Sequence, residues 1–124
     1  MSRGRILLID HRPEHMRQPV LRLQLEGYDV AEAPTAEDGL AMLRQGHIDL
    51  VLLDAELPET DGWAVLKEIR EDPDLADTKV IIFMAGQGET GKLGLYPVEG
   101  ELRRPFPIGE LLAKVRSALG ERSP

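Results

Sequence analysis

The stretch Asp49-Leu50-Val51-Leu52-Leu53-Asp54-Ala55-Glu56-Leu57-Pro58-Glu59-Thr60-Asp61-Gly62 decides the fold. Four apolar residues in a row, Leu50 to Leu53, stand between two acids with no polar alternation. A strand with one face in water alternates; a strand that is uniformly apolar is covered on both faces, as in a parallel sheet flanked by helices. The run stops at Asp54, and the turn signal at Leu57-Pro58 follows. A carboxylate is therefore expected at the carboxyl end of a central strand.

The same grammar extends outward in both directions. Arg5-Ile6-Leu7-Leu8-Ile9 is a second buried strand, and it too ends on an acid, Asp10. A helix is expected from about Glu14 to Glu26, ended by Gly27, with a kink or late start forced by Pro19. Tyr28 to Ala33 reads as a strand. Thr35 is placed to cap a helix that carries Leu40 and Leu43 and ends at Gly46. Beyond the central strand, a helix runs from about Gly62 to Arg70 with Trp63, Leu66 and Ile69 on one face, and Asp72-Pro73-Asp74 breaks it. Val80 to Met84 is a further buried strand. The segment Gly86 to Gly100 holds five glycines and Pro97, so the helix expected there is degenerate. A short strand near Glu101 to Arg103 and an amphipathic helix from Ile108 to Leu119 complete the pattern.

Strands alternating with helices imply a parallel sheet with right-handed crossovers and helices on both faces. Five strands in 124 residues give an α/β, flavodoxin-like, doubly wound sheet of order 2-1-3-4-5. In that order strands one and three lie side by side at the switch point, where ligands bind beyond the strands' carboxyl ends. Asp10 and Asp54 meet there. Two such carboxylates suit a magnesium ion, and a carboxylate beside a cation can attack a phosphoryl group to give an acyl phosphate. Either acid alone would more often be structural.

Composition bounds the rest. The chain has 15 Lys and Arg against 22 Asp and Glu, a net charge of −7, which disfavours a surface for nucleic-acid backbones. It has no cysteine, so disulfides and thiolate chemistry are excluded. No apolar run suits a signal peptide or a membrane span, and the expected location is cytoplasmic.

Ile6-Leu7-Leu8-Ile9-Asp10, the run from Asp49 to Gly62, and Arg104-Pro105-Phe106 followed by Glu110-Leu111-Leu112 together resemble the response-regulator receiver family of two-component signalling. The likeness covers nearly the whole chain and weakens between Ala85 and Gly100, and residues 1–124 read as one receiver domain. It implies a phosphoacceptor at Asp54, charged by a sensor histidine kinase or a small phosphodonor. It also implies magnesium held by Asp10, Asp54 and the backbone carbonyl of Glu56, with Arg104 where the family has a phosphoryl-contacting lysine. A downstream protein partner and a monomer or weak homodimer are expected, with no direct nucleic-acid or membrane contact and no enzymatic turnover.

Departures from the family pattern fall on the chemistry. His11 replaces the second acid of the acidic pair, and imidazole is a poor magnesium ligand, so weaker magnesium binding is expected. The simplest expectation for His11 is an exposed loop residue that binds nothing. Met84 takes the place of the switch Ser or Thr and can donate no hydrogen bond; a core or lid position is expected for it. Arg104 keeps the positive charge with a different head group. Glu101 stands near the family's switch aromatic. The leading reading is a phosphoacceptor; the runner-up is a pseudo-receiver that recognises its partner without phosphorylation. A weaker third is nucleotide binding at Gly86-Gln87-Gly88-Glu89-Thr90-Gly91-Lys92, which fits G-x-x-x-x-G-K but is followed by Leu93, not Ser or Thr. His15 and His47 are expected to face solvent.

Overall fold

The computed structural model describes residues 2–84 and 95–121. Five parallel strands form one sheet: β1 (Arg5–Ile9), β2 (Asp29–Ala33), β3 (Leu50–Asp54), β4 (Val80–Met84) and β5 (Gly100–Arg103), in spatial order β2-β1-β3-β4-β5. The three inner strands are the uniformly apolar ones: every residue of β3 and β4 is buried, as is β1 after Arg5. The edge strands β2 and β5 show mixed burial, as expected where one flank of the ladder faces solvent.

Side chains alternate between the two faces of the sheet. Leu7, Ile9, Val51, Leu53, Ile82 and Met84 pack on one side beneath α2 (Ala36–Gln45) and α3 (Gly62–Glu71). Ile6, Leu8, Leu52, Ile81 and Phe83 pack on the other, beneath α1 (Arg17–Leu25) and α4 (Ile108–Ala118). Trp63 packs against the first of these cores from its half-buried position on α3.

Pro19 imposes the late start. Residues Pro13–Met16 form a 3-10 turn, and the α-helix begins only at Arg17, leaving Pro19 in the first turn where its missing N–H has no helical acceptor to satisfy. The Thr35 hydroxyl accepts the Asp38 N–H at 3.1 Å, the expected cap of α2. Between β4 and β5, residues 95–99 carry no helix. The rest of the Gly-rich segment, including most of the degenerate-helix reading and all of the G-x-x-x-x-G-K stretch, lies outside the described residues.

Candidate functional site

Register brings the two acids together. Ile9 pairs with Leu53 across the β1–β3 ladder, so Asp10 and Asp54 leave the sheet as neighbours at its carboxyl edge. Both are buried, Asp10 at 1% exposure and Asp54 at 0%, and they are the buried charged residues of the described chain. Local backbone fixes each one. The Arg12 N–H donates to Asp10 Oδ1 at 2.9 Å, and the Glu56 N–H donates to Asp54 Oδ1 at 2.8 Å. Gly62 holds the turn after β3 tight: a Cβ there would lie 2.2 Å from the Asp54 carbonyl oxygen.

Arg104 and His11 face these carboxylates from different sides. Arg104 follows β5, and its guanidinium lies 3.2 Å from Asp10 Oδ2 and 3.8 Å from Asp54 Oδ1. The same guanidinium stacks 4.6 Å above the Phe83 ring, which fixes its plane. The Arg104–Pro105 peptide is cis. His11 approaches the remaining oxygens. Its Nδ1 lies 2.9 Å from Asp54 Oδ2 and 3.8 Å from Asp10 Oδ1.

This corrects the expectation for His11. Its side chain is about a quarter exposed, turned into the site, and hydrogen-bonded to Asp54. The reason is local: the chain turns at Asp10, whose carboxylate accepts the Arg12 N–H, and His11 is the residue inside that turn. The sequence position, directly after Asp10, was the available signal. Phe83 was also not anticipated, since a buried strand residue carries no mark of a stacking role in the sequence.

Burial is the main cause that raises the Asp10 carboxyl above its ordinary value; the Arg12 N–H works against it, the Asp54 charge adds to it, and Arg104 opposes it. Asp10, His11 and Asp54 each turn one possible ligand atom into this pocket, all within 4.8 Å of one another, an arrangement able to hold a cation.

The other anticipated residues sort as follows. Met84 is 2% exposed and belongs to the core under α2 and α3, in keeping with a packing residue. Glu56 has an exposed side chain beside the site, and Glu101 is exposed on β5. His15 and His47 are both exposed.

The family model for the response regulator receiver domain matches residues 6–116, and the chain belongs to that family, the receiver domains of two-component signalling. It is 36% identical over 117 residues to the DNA-binding dual master transcriptional regulator RpaA of Synechocystis sp., covering 93% of this chain and 48% of that protein. It is 33% identical over 121 residues to the uncharacterized transcriptional regulatory protein YkoG of Bacillus subtilis, covering 96% and 52%. The chain thus spans about half the length of the curated relatives it matches. Among solved structures, the response regulator TrrA of Thermotoga maritima, in complex with Mg2+ and BeF, superposes with a TM-score of 0.83 at 32% identity, over 94% of this chain and 99% of that one.

Proposed function

We propose that this receiver accepts a phosphoryl group on Asp54 from a histidine kinase or a small phosphodonor and passes the signal to a protein partner. The observation that carries the reading is the buried Asp10–Asp54 pair with Arg104 bridging both acids. An Asp54 oxygen attacks the donor's phosphorus, the bond to the donor's leaving group breaks, and an acyl phosphate forms on Asp54. Arg104 stands 3.8 Å from that carboxylate, close enough to turn from Asp10 towards a phosphoryl oxygen and pair with it in two bonds. The Glu56 N–H, already on Asp54 Oδ1, keeps the carboxylate oriented during attack.

Asp10 and Asp54, with the Glu56 carbonyl, would hold the divalent cation, and the two buried carboxylates suit such an ion in charge and donor type. When bound, that cation neutralises charge between the acceptor carboxylate and the incoming phosphate. His11 is the discordant donor, a nitrogen where magnesium favours oxygen.

TrrA was solved with Mg2+ and BeF, and that likeness supports divalent-cation binding here. RpaA and YkoG are named as transcriptional regulators, yet this chain matches about half of each. A net charge of −7 disfavours contact with a phosphate backbone, so this chain's direct partners are taken to be proteins, in the cytoplasm. Among the described residues no helix is long and apolar enough to cross a membrane.

The test is intact mass after incubation with acetyl phosphate and a divalent cation. Wild type should gain one phosphoryl group and Asp54→Asn none; an unmodified wild type that remains folded would sink the proposal. That second outcome would favour the pseudo-receiver reading. Its supporting observation is Met84, a buried thioether where a hydroxyl would contact the phosphoryl group.

A further inference from the structure

We propose that Asp10, His11 and Asp54 form a mixed nitrogen–oxygen site that selects a first-row transition ion over magnesium. The inference deepens the phosphoacceptor reading by naming the class of cation at the same centre. Each of the three residues offers one ligand atom, and these atoms all lie within 4.8 Å of one another. Division of labour among the carboxylate oxygens is what makes the site credible. Arg104 takes Asp10 Oδ2 and Asp54 Oδ1, whereas His11 Nδ1 faces Asp10 Oδ1 and Asp54 Oδ2. The guanidinium and the imidazole therefore do not compete for the same oxygens.

The spacings bracket those of the class. Ligands bonded at about 2.0–2.2 Å to a common ion stand roughly 3–3.5 Å apart. The His11 nitrogen is 2.9 Å from one carboxylate oxygen and 3.8 Å from the other, so small side-chain rotations would open the triangle for an ion. A hydrogen bond from His11 to Asp54 with no further role would leave Co2+ binding unchanged in His11→Ala. Chemistry then chooses the ion. Magnesium demands near-octahedral oxygen ligation and dehydrates reluctantly, while an imidazole adds affinity that rises along the series from Mn2+ to Cu2+. Two acids with one histidine favour Mn2+, Fe2+, Co2+ or Zn2+.

The full chain, stripped with chelator, should be titrated with Co2+ and with Mg2+ by calorimetry, with the visible spectrum of Co2+ followed in parallel. Wild type should bind one Co2+ at least about tenfold more tightly than Mg2+, with absorption changes that mark a nitrogen ligand. His11→Asp should erase that preference and raise magnesium affinity, and His11→Ala should weaken Co2+ binding. His47→Ala, at an exposed histidine ahead of the amino end of β3, should change neither. Equal affinity for the two ions, no binding of either, or Co2+ binding unchanged in His11→Ala would each overturn the proposal. Mass spectrometry of the phosphoryl adduct keeps the two readings apart. An adduct without a Co2+ preference overturns the metal assignment alone, whereas a Co2+ preference without an adduct supports it and removes the phosphoacceptor.

Discussion

Asp10 illustrates how a residue can be costly to the fold and valuable to the site. Its carboxyl is buried and raised above the ordinary value of 3.8. As pH falls, the folded protein takes up this proton before the unfolded chain does, so ionised Asp10 subtracts stability above the raised value and subtracts nothing well below 3.8. In chelator, Asp10→Asn should therefore melt at a higher temperature than wild type near neutral pH, and the gap should close as pH falls into the acid range. Thermal melts across that range check this; an unchanged or lower melting temperature at neutral pH would show that the Arg104 pair outweighs the burial cost. Asp10 and Asp54 were legible in the sequence because strand ends are legible. His11 was only half legible: its identity signalled a departure, but its inward turn depends on a backbone bond to Asp10 that no residue pattern announces.

At the scale of elements, the turn from β3 into α3 does most of the positioning. Asp61 caps α3, its Oδ1 accepting the Ala64 N–H at 2.7 Å, and Gly62 lets the helix start directly against the strand end. In an ordinary helix, Gly→Ala adds about 1 kcal/mol of stability. Here the added methyl would meet backbone, 2.2 Å from the Asp54 carbonyl oxygen and 2.7 Å from Ala55 Cα. Gly62→Ala should thus destabilise the protein by about 2 kcal/mol or more, read by chemical denaturation, and should lower phosphoryl uptake by shifting Asp54. A neutral or stabilising effect would mean that the turn relaxes freely. On the far edge of the sheet, Arg70 from α3 donates to the carbonyls of Ala76, Thr78 and Pro97 and pairs with Glu99. It ties the approaches to β4 and β5 together. Strand order, helix starts and Pro19's delay were all readable because periodicity, caps and proline geometry are local. Arg70's role was not, since a nearly buried arginine on a helix looks in sequence like any solvated one.

Across the whole molecule, the two ends of the sheet do different work. The carboxyl end gathers the acids, whereas the amino end is closed by a polar latch. Tyr28 donates to Glu121 Oε2 at 2.5 Å, Arg3 pairs with Glu121 at 2.9 Å and stacks on the Tyr28 ring, and Arg116 pairs with Glu26. Burial, then the Glu121 hydrogen bond and charge, push the Tyr28 phenol up to about 12 from 10.0. Between those values the unfolded chain loses the proton and the folded chain keeps it, so stability should fall as pH rises through this window. Tyr28→Phe should flatten that fall, measured by denaturation at a series of alkaline pH values; an identical slope in both proteins would contradict the latch. The latch joins residues remote in sequence, and its partners became visible only once the strands were in register.

Trapping the acyl phosphate tests Asp54 as the phosphoacceptor. Protein treated with acetyl phosphate and a divalent cation would be reduced with borohydride, which converts a phosphorylated aspartate to homoserine, and then mapped by peptide mass. Homoserine is expected at position 54 alone. No conversion at any aspartate, or conversion at another aspartate with Asp54 intact, would contradict it.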